Sequence, residues 1–399
     1  MRRVAITGLG LVSSLGHDVE SFWNATRDGE TGVAPTTIPE GDKLTARMVA
    51  EVKGWDGAKA LDRKLLGLSD RFSQFAVYAA KQAVDDSGDM PRDNAAIIIG
   101  TGVGGAVTLD ESYVRLYREN QQRIHPFSIP RLMANGPASL VSLAMGITGP
   151  SFAVSSACSS SNHAIGLAAG MVQRGEVDAA LAGGAEAAIT YGGIRAWEAL
   201  RVISPDVCRP FSADRKGMIL GEGSGMVVLE DMERAKARGA HIYAELAGFG
   251  MSADAVDMVQ PSMEGAARTI KTALNAAGMN PDEVDYINAH GTGTPANDPT
   301  ETKAIRTVFG DAADKLLVSS TKAMHGHALG AAGALELIAT LGAMNSGIVP
   351  PTINFTEADP ECDLDYVPNK ARERQVKSAV SNSFAFGGLN AVLALRAAP

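Results

Sequence analysis

Three side chains in this sequence combine reactive groups with settings that could use them: Cys158, His290 and His327. Cys158 lies in Ser155-Ser156-Ala157-Cys158-Ser159, between a predicted strand, Ser151–Ser155, and a predicted helix, Asn162–Arg174. At a helix start, unpaired backbone N–H groups and the positive end of the macrodipole favour a thiolate nucleophile. Small neighbours leave room for a substrate. The competing reading is a buried cysteine that only packs. His290 follows the predicted strand Val284–Ala289, and His327 follows Leu317–Ser319. Strand ends are where α/β proteins place chemistry. Taken singly, each histidine reads better as a capping or solvated residue. Two of them opposite a cysteine form a nucleophile-plus-base set, or a pair of N–H donors for a developing oxyanion.

Other groups gather around these three. Lys322 and Glu301 read as a charge pair flanking the histidines, against the alternative of ordinary surface charge. Glu336 sits in an apolar helical run, and burying it requires a partner. His163, five residues past Cys158, reads as a packing residue. His325 forms His-Gly-His with His327, but no further ligands stand nearby in sequence, so a metal site is not expected. In Asn382–Asn390 (NSFAFGGLN), Gly387 and Gly388 allow a tight turn with exposed N–H groups, suited to an oxyanion hole. Phe384 and Phe386 read as core or as pocket lining. Gly100, Gly102 and Gly105 match a GxGxxG spacing after a strand. That rival, dinucleotide-binding reading lacks the compact βαβ unit it requires.

The elements that must position these groups follow an α/β pattern. Strands are predicted at Val4–Thr7, Ala95–Gly100, Val177–Ala182 and Met226–Glu230, besides those above. Helices are predicted at Phe72–Ser87, Met263–Ala277, Pro299–Val308 and His327–Asn345. Val154-Ser155-Ser156…His163-Ala164-Ile165-Gly166-Leu167-Ala168 matches Val318-Ser319-Ser320…His327-Ala328-Leu329-Gly330-Ala331-Ala332 at a constant offset, with seven identities and no gap. A duplicated strand–loop–helix unit would bring Cys158 of one half to Lys322 of the other around a shared centre. The chain has 399 residues, 45% hydrophobic and 20% charged, which excludes a disordered chain. Net charge −9 argues against bulk nucleic-acid binding. The three cysteines form no disulfide framework and suit a reducing compartment. The start, MRRVAITGLGLVSSLG, reads as a strand rather than a secretory signal, and no run of about 18 apolar residues spans a membrane. A cytoplasmic protein is expected. The 43 glycines are expected largely at turns facing the centre (Gly8, Gly10, Gly100, Gly102, Gly291, Gly293, Gly326, Gly387, Gly388), with Gly166 and Gly330 packing two repeated helices.

With these motifs in order, the chain resembles the β-ketoacyl-acyl-carrier-protein synthases, elongating condensing enzymes of the thiolase superfamily, over its whole length. The resemblance rests on VAITGLGLVSSLG, GPSFAVSSACSSSNHAIG, RPFSADRKGMILGEGSGMVVLE, HGTGTPANDPTE, SSTKAMHGHALGAAG and NSFAFGGLNA. It implies a duplicated thiolase-like α/β fold of five layers, αβαβα, with mixed sheets. Residues 1–240 would form a nucleophile half and 241–399 a histidine half. Cys158 would take an acyl group from acyl-carrier protein in thioester linkage. His290 and His327 would hold the malonyl thioester and promote its decarboxylation. N–H groups of Cys158 and Phe386 would form the oxyanion hole. Lys322 and Glu301 would match the family's supporting pair, Glu336 its buried carboxylate, and Phe386 its aromatic gate. No cofactor or metal is implied.

The implied partners are acyl and malonyl forms of acyl-carrier protein, and a second subunit: its own copy or a chain-length-factor-like chain. An acidic carrier needs a basic patch, for which Arg63, Lys64, Arg115, Arg118 and Arg123 are candidates. Where family members often carry a further basic residue, this chain has Gly67. Ala385 stands for a glycine, Leu389 for a threonine, and His325 for the threonine of TKAMTGH. Ala385 is expected to stiffen the gate if its φ is positive. These departures keep a dedicated type II polyketide or aryl-polyene pathway beside fatty-acid synthesis. A degradative thiolase would need a second catalytic cysteine, and Cys362 lies in a Pro/Asp-rich segment instead. His327 and Lys322 disfavour a starter-type Cys-His-Asn enzyme. A non-catalytic subunit would lack the cysteine or a histidine.

Overall fold

The computed structural model describes residues 1–88 and 90–398. Ten strands share one hydrogen-bonded order: β1 (Val4–Ser13), β2 (Ala95–Gly100), β3 (Ser151–Val154), β4 (Ala179–Glu186), β5 (Gly223–Asp231), β6 (Ala244–Ala253), β7 (Tyr286–Asn288), β8 (Leu317–Ser319), β9 (Ser378–Ala385) and β10 (Leu389–Ala397). The order β8-β7-β9-β10-β6-β1-β5-β4-β2-β3 is the same five-strand pattern written twice about its middle. In each half three strands run parallel, and the other two pairings are antiparallel. The halves join where β1 meets β6, at Ala5–Glu245 and Ile6–Ala244.

Helices complete five layers. Helices α1 (Arg71–Asp86) and α2 (Gly136–Met145) cover the outside of the first half, with Ala76, Val77, Ala80 and Leu140 against Ile97, Ile99 and Leu181. Helices α3 (Ser160–Arg174) and α7 (Ala332–Ser346) fill the middle, where Ile165, Val172, Leu335 and Ile338 pack with side chains from both halves. Helix α4 (Tyr191–Leu200) follows β4 and carries Trp197. Helices α5 (Met263–Ala277) and α6 (Asn297–Phe309) close the far side over Ile287, Val318 and Val392. Helix α7 is buried on nearly every side, which is why its sequence is apolar without a polar face.

Several expectations shift. Helix α7 begins at Ala332, not His327; a short 3₁₀ turn, Leu329–Ala331, intervenes and places Gly330 outside the helix. Strand β4 runs four residues past its predicted end, through Gly183 and Gly184. Strands β6, β9 and β10 add to the predicted set: glycines interrupt the apolar pattern of β6 and buried Ser and Asn that of β9, whereas β10 holds an unbroken apolar run, Ala391–Leu395. Gly8 and Gly10 do not face the site. They lie inside β1, where a Cβ would stand 2.1 Å from the Ala83 carbonyl oxygen and 2.0 Å from that of Ala79, so α1 lies directly on the strand. Gly248 and Gly250 do the same on β6 beneath α5.

Candidate active site

Cys158 sits in a 3₁₀ turn, Ala157–Ser159, that leads from β3 into α3. The turn is strained: Ala157 has φ 50°, a left-handed conformation that costs a non-glycine residue about 1 kcal/mol or more. Ser160 supports it, its hydroxyl accepting from Ser156 N (2.9 Å) and donating to the Ala157 carbonyl (2.6 Å). The Ser159 hydroxyl donates to the Ser383 carbonyl at 2.9 Å, tying the turn to β9.

His290 and His327 come from loops after β7 and β8. Their rings stand edge to face, centroids 5.4 Å apart, and one ligand-type atom of each lies within 4.8 Å of the others and of Cys158 Sγ. Both rings are fixed at Nδ1. The His327 Nδ1 accepts from Leu329 N at 3.1 Å. The His290 Nδ1 faces the Lys322 ammonium at 3.4 Å, and an ammonium only donates. Both histidines therefore carry their proton on Nε2, as N–H donors. Burial, with Lys322 adding to it, holds both far below the usual imidazole range, so both are neutral.

Lys322 is fully buried and donates to the His290 carbonyl at 2.7 Å. Its carboxylate partner is Glu336, with which it forms a close ion pair, not Glu301. The expected Lys322–Glu301 pair is thus corrected. Glu301 is occupied by other donors: His290 N and Gly291 N, both at 2.8 Å, and Asn382 Nδ2 at 3.0 Å. It shapes the His290 loop through the backbone. Sequence spacing could not separate the two carboxylates, since both precede or follow Lys322 by less than one repeat.

The thiol also departs from expectation. Burial pushes Cys158 up to about 11, although Lys322 and the N–H groups of Phe386 and of Cys158 itself act to lower it. The resting group is a thiol rather than a thiolate, because the loss of water outweighs the helix start. Those two N–H groups do converge at the sulfur. The Phe386 amide is placed by Gly387 (φ 80°) and Gly388 (φ 68°), with Gly387 N donating to the Met258 carbonyl and Asp254 N to the Gly388 carbonyl. A Cβ on Gly388 would stand 2.5 Å from Asp254 Cβ. Ala385 lies in extended backbone, φ −105°, so it costs the gate no strain.

The three reactive groups open onto one cleft of about 240 Å³, lined also by Trp197, Met218, Thr292, Thr294, Phe384 and Phe386. Phe386 leans on Trp197, centroids 5.9 Å apart. Trp197 and Met218 carried no signal in the sequence. Phe384 stands against the His290 ring. His325 is buried away from the cleft, between the Gly326 carbonyl (2.8 Å) and the Thr321 hydroxyl (3.0 Å). His163 bonds Ser156 and packs on Phe249, as a supporting residue. Cys362 is buried in the C-terminal segment, packed among Phe309, Tyr366 and their neighbours. Of the basic candidates, all five are exposed, and Arg118 is engaged by Glu40.

A thiol, two neutral imidazole donors and two backbone N–H groups at the sulfur, set between duplicated α/β halves, are the parts of an acyl-transferring condensing enzyme of thiolase-like fold. Residues 1–235 match the model of the β-ketoacyl synthase N-terminal domain and 243–356 that of its C-terminal domain, and the chain belongs to the β-ketoacyl synthase family. It is 48% identical to Nodulation protein E of Rhizobium sp. (strain N33), covering 99% of each chain. It is 45% identical to 3-oxoacyl-[acyl-carrier-protein] synthase 2 of Coxiella burnetii, covering 99% of this chain and 98% of the relative. Among solved structures, the ishigamide ketosynthase/chain length factor superposes with TM-score 0.96 at 37% identity, over all of both chains. Among the described residues, no helix is long and apolar enough to cross a membrane.

Proposed function

We propose that this chain is a 3-oxoacyl-acyl-carrier-protein synthase working in two steps. The observation that carries the reading is the convergence of Cys158 with two Nε2–H donors, each imidazole fixed at Nδ1. In the first step the Cys158 sulfur attacks the acyl thioester of a carrier protein. A C–S bond forms, the carrier's C–S bond breaks, and the thiol proton passes to the departing carrier sulfur. The exchange of thiol for thiol needs no net base, in keeping with a resting thiol near 11. The oxyanion of this step faces the N–H groups of Cys158 and Phe386.

In the second step a malonyl thioester binds with its carbonyl oxygen toward His290 and His327. Loss of CO₂ leaves an enolate, whose charge the two N–H donors stabilise; one such donor contributes about 3–4 kcal/mol in other acyl-transfer sites. The enolate carbon attacks the acyl-Cys158 carbonyl, the C–S bond breaks, and the sulfur takes a proton from water. Lys322 holds His290 in the donor tautomer, Glu336 balances Lys322, Glu301 shapes the His290 loop, and Phe386 gates the cleft. The cysteine–histidine set also has the composition of a metal site, but the Lys322 ammonium beside His290 opposes a dication there.

The nucleophile half is 1–240 and the histidine half 241–399 in this reading. The partners are acyl and malonyl carrier proteins, with Arg63, Lys64, Arg115 and Arg123 as docking cations, and a second subunit of its own kind or a chain-length-factor-like chain. Three free, buried cysteines accord with the cytoplasm. Fatty-acid elongation is the primary pathway reading. Leu389, more than a third exposed where the family carries threonine, favours a dedicated type II polyketide or aryl-polyene route as the second.

Incubation with an acyl-carrier thioester should add one acyl mass to the Cys158 peptide, and Cys158→Ala should abolish it; an adduct that survives the substitution overturns the assignment. Product masses over a panel of acyl and aryl primers then decide between the pathways.

A further inference from the structure

The segment Gly100–Gly105 has the spacing of a phosphate-binding loop, and its amides do bind an anion, one supplied by the chain itself. Glu186, fully buried at the end of β4, accepts from Gly102 N at 2.6 Å, Val103 N at 3.2 Å and the Thr101 hydroxyl at 3.0 Å. Its fourth donor comes from the other half of the molecule: Gly330 N at 3.0 Å. Burial pushes the Glu186 carboxyl up from the usual carboxylate range, and the four donors act against that shift by favouring its ionised form. The glycines are needed for the approach. A Cβ on Gly102 would stand 2.9 Å from Glu186 Oε2, and one on Gly330 would stand 2.3 Å from Gly102 N.

Gly330 ends the turn that carries His327. Leu329, with φ 46°, donates its N–H to His327 Nδ1, and the next amide is the one Glu186 holds. On the carbonyl side Gly330 accepts from Ser161 Oγ at 2.7 Å, at the second residue of α3. The Cys158 turn has its own anchors in Ser159 and Ser160. The His327 backbone is itself paired to the first half, its N–H donating to the Ile219 carbonyl at 2.6 Å and its carbonyl accepting from Gly221 N at 2.9 Å. Glu186 and Ser161 hold the residues that follow, including the turn whose Leu329 N–H fixes the His327 ring at Nδ1.

We propose that Glu186 is a positioning residue for the condensation, its carboxylate clamped between the Gly102–Val103 amides of one half and the Gly330 amide of the other, so that it holds the Leu329 N–H against His327 Nδ1 and thereby sets the direction of His327 Nε2–H toward the cleft. This rests on the two-step function above and adds a residue to it. The glycine motif of the sequence is, on this view, the receptor for an internal carboxylate that couples the nucleophile half to the histidine half.

Glu186→Gln tests it at nearly constant volume. The amide nitrogen replaces one acceptor by a donor, so two of the four N–H or O–H groups lose their partner in either orientation. Two half-reactions are measured on one preparation: loading of Cys158 from an acyl-carrier thioester, and CO₂ release from a malonyl-carrier thioester. A displacement of about 1 Å costs on the order of 100-fold. Decarboxylation is therefore expected to fall at least about tenfold while loading falls less than about threefold. Parallel loss of both, or no change in either, overturns the proposal. If the glutamine variant does not fold, Ser161→Ala, which frees the Gly330 carbonyl and the Ala334 N–H at the start of α7, is read by the same split. A wild-type chain that neither loads nor decarboxylates fails the function itself, and the proposal with it; an active wild type matched by its variant fails only the placement of Glu186.

Discussion

Lys322→Met removes the buried charge on which the histidine half of the site depends. The ammonium pairs with Glu336, donates to the His290 carbonyl and faces His290 Nδ1. Without it, Glu336 is left as a lone charge in a dry interior, and breaking one side of a buried pair costs about 3–5 kcal/mol. Unfolding entropy near the midpoint is about 2.1 cal/mol/K per residue, or about 0.8 kcal/mol/K for a chain of this length, so the midpoint falls by about 4–6 °C. Adding Glu336→Gln removes the stranded charge, and the double variant regains most of that loss, since neutral replacement of both partners is often close to neutral. Catalysis does not return with it. Nothing then donates to His290 Nδ1, the ring takes either tautomer, and one N–H donor to the enolate is weakened. Loss of one such donor costs about 10²–10³ in rate. The double variant should therefore melt near wild type while decarboxylating malonyl-carrier thioester about 100-fold more slowly. Thermal melts and CO₂ release measure the two. A double variant no more stable than Lys322→Met refutes the stranded-charge argument, and decarboxylation that recovers along with stability refutes the tautomer argument.

Two further outcomes follow from the packing. Burial pushes His325 down to about 3, whereas an unfolded imidazole titrates near 6.5. Between those values the unfolded chain binds the extra proton, so this contribution is complete above pH 6.5 and is lost as pH falls, by about 1.4 kcal/mol per unit. The stability advantage of wild type over His325→Gln should narrow between pH 6.5 and 5 in urea titrations; a constant gap contradicts it. Gly10→Ala puts a methyl group 2.0 Å from the Ala79 carbonyl oxygen. Because α1 must move off β1, a loss of about 1–3 kcal/mol or more is expected, and an unchanged urea midpoint would show that the helix yields freely.

The reactive residues were legible in the sequence because each stands next to a strand end, in a run whose period and punctuation are local. Cys158, His290 and His327 needed only those neighbours, and the constant offset of the repeat put them in two halves of one architecture. The resemblance of six ordered motifs named the chemistry. What the sequence could not express is set by contacts between distant segments. Strands β6 and β9 are hidden in the sequence because glycines under α5 and buried Ser and Asn in β9 break the apolar pattern for reasons of tertiary packing; β10, with its apolar run Ala391–Leu395, is not hidden in this way.

The partner of Lys322 shows the same division. Type and position made both Glu301 and Glu336 eligible, and only the packing of α7 against the β8 loop brings Glu336 to the ammonium while Glu301 turns to backbone amides. The state of the Cys158 thiol divides the same way: a helix start is visible in sequence, but the depth of burial that outweighs it is a property of the whole fold. Gly100–Gly105 marks the boundary most clearly. Along the chain it is a glycine spacing after a strand, compatible with an external phosphate and no more specific than that. The folded chain fills it with Glu186, because a buried carboxylate finds its donors in space and not along the sequence.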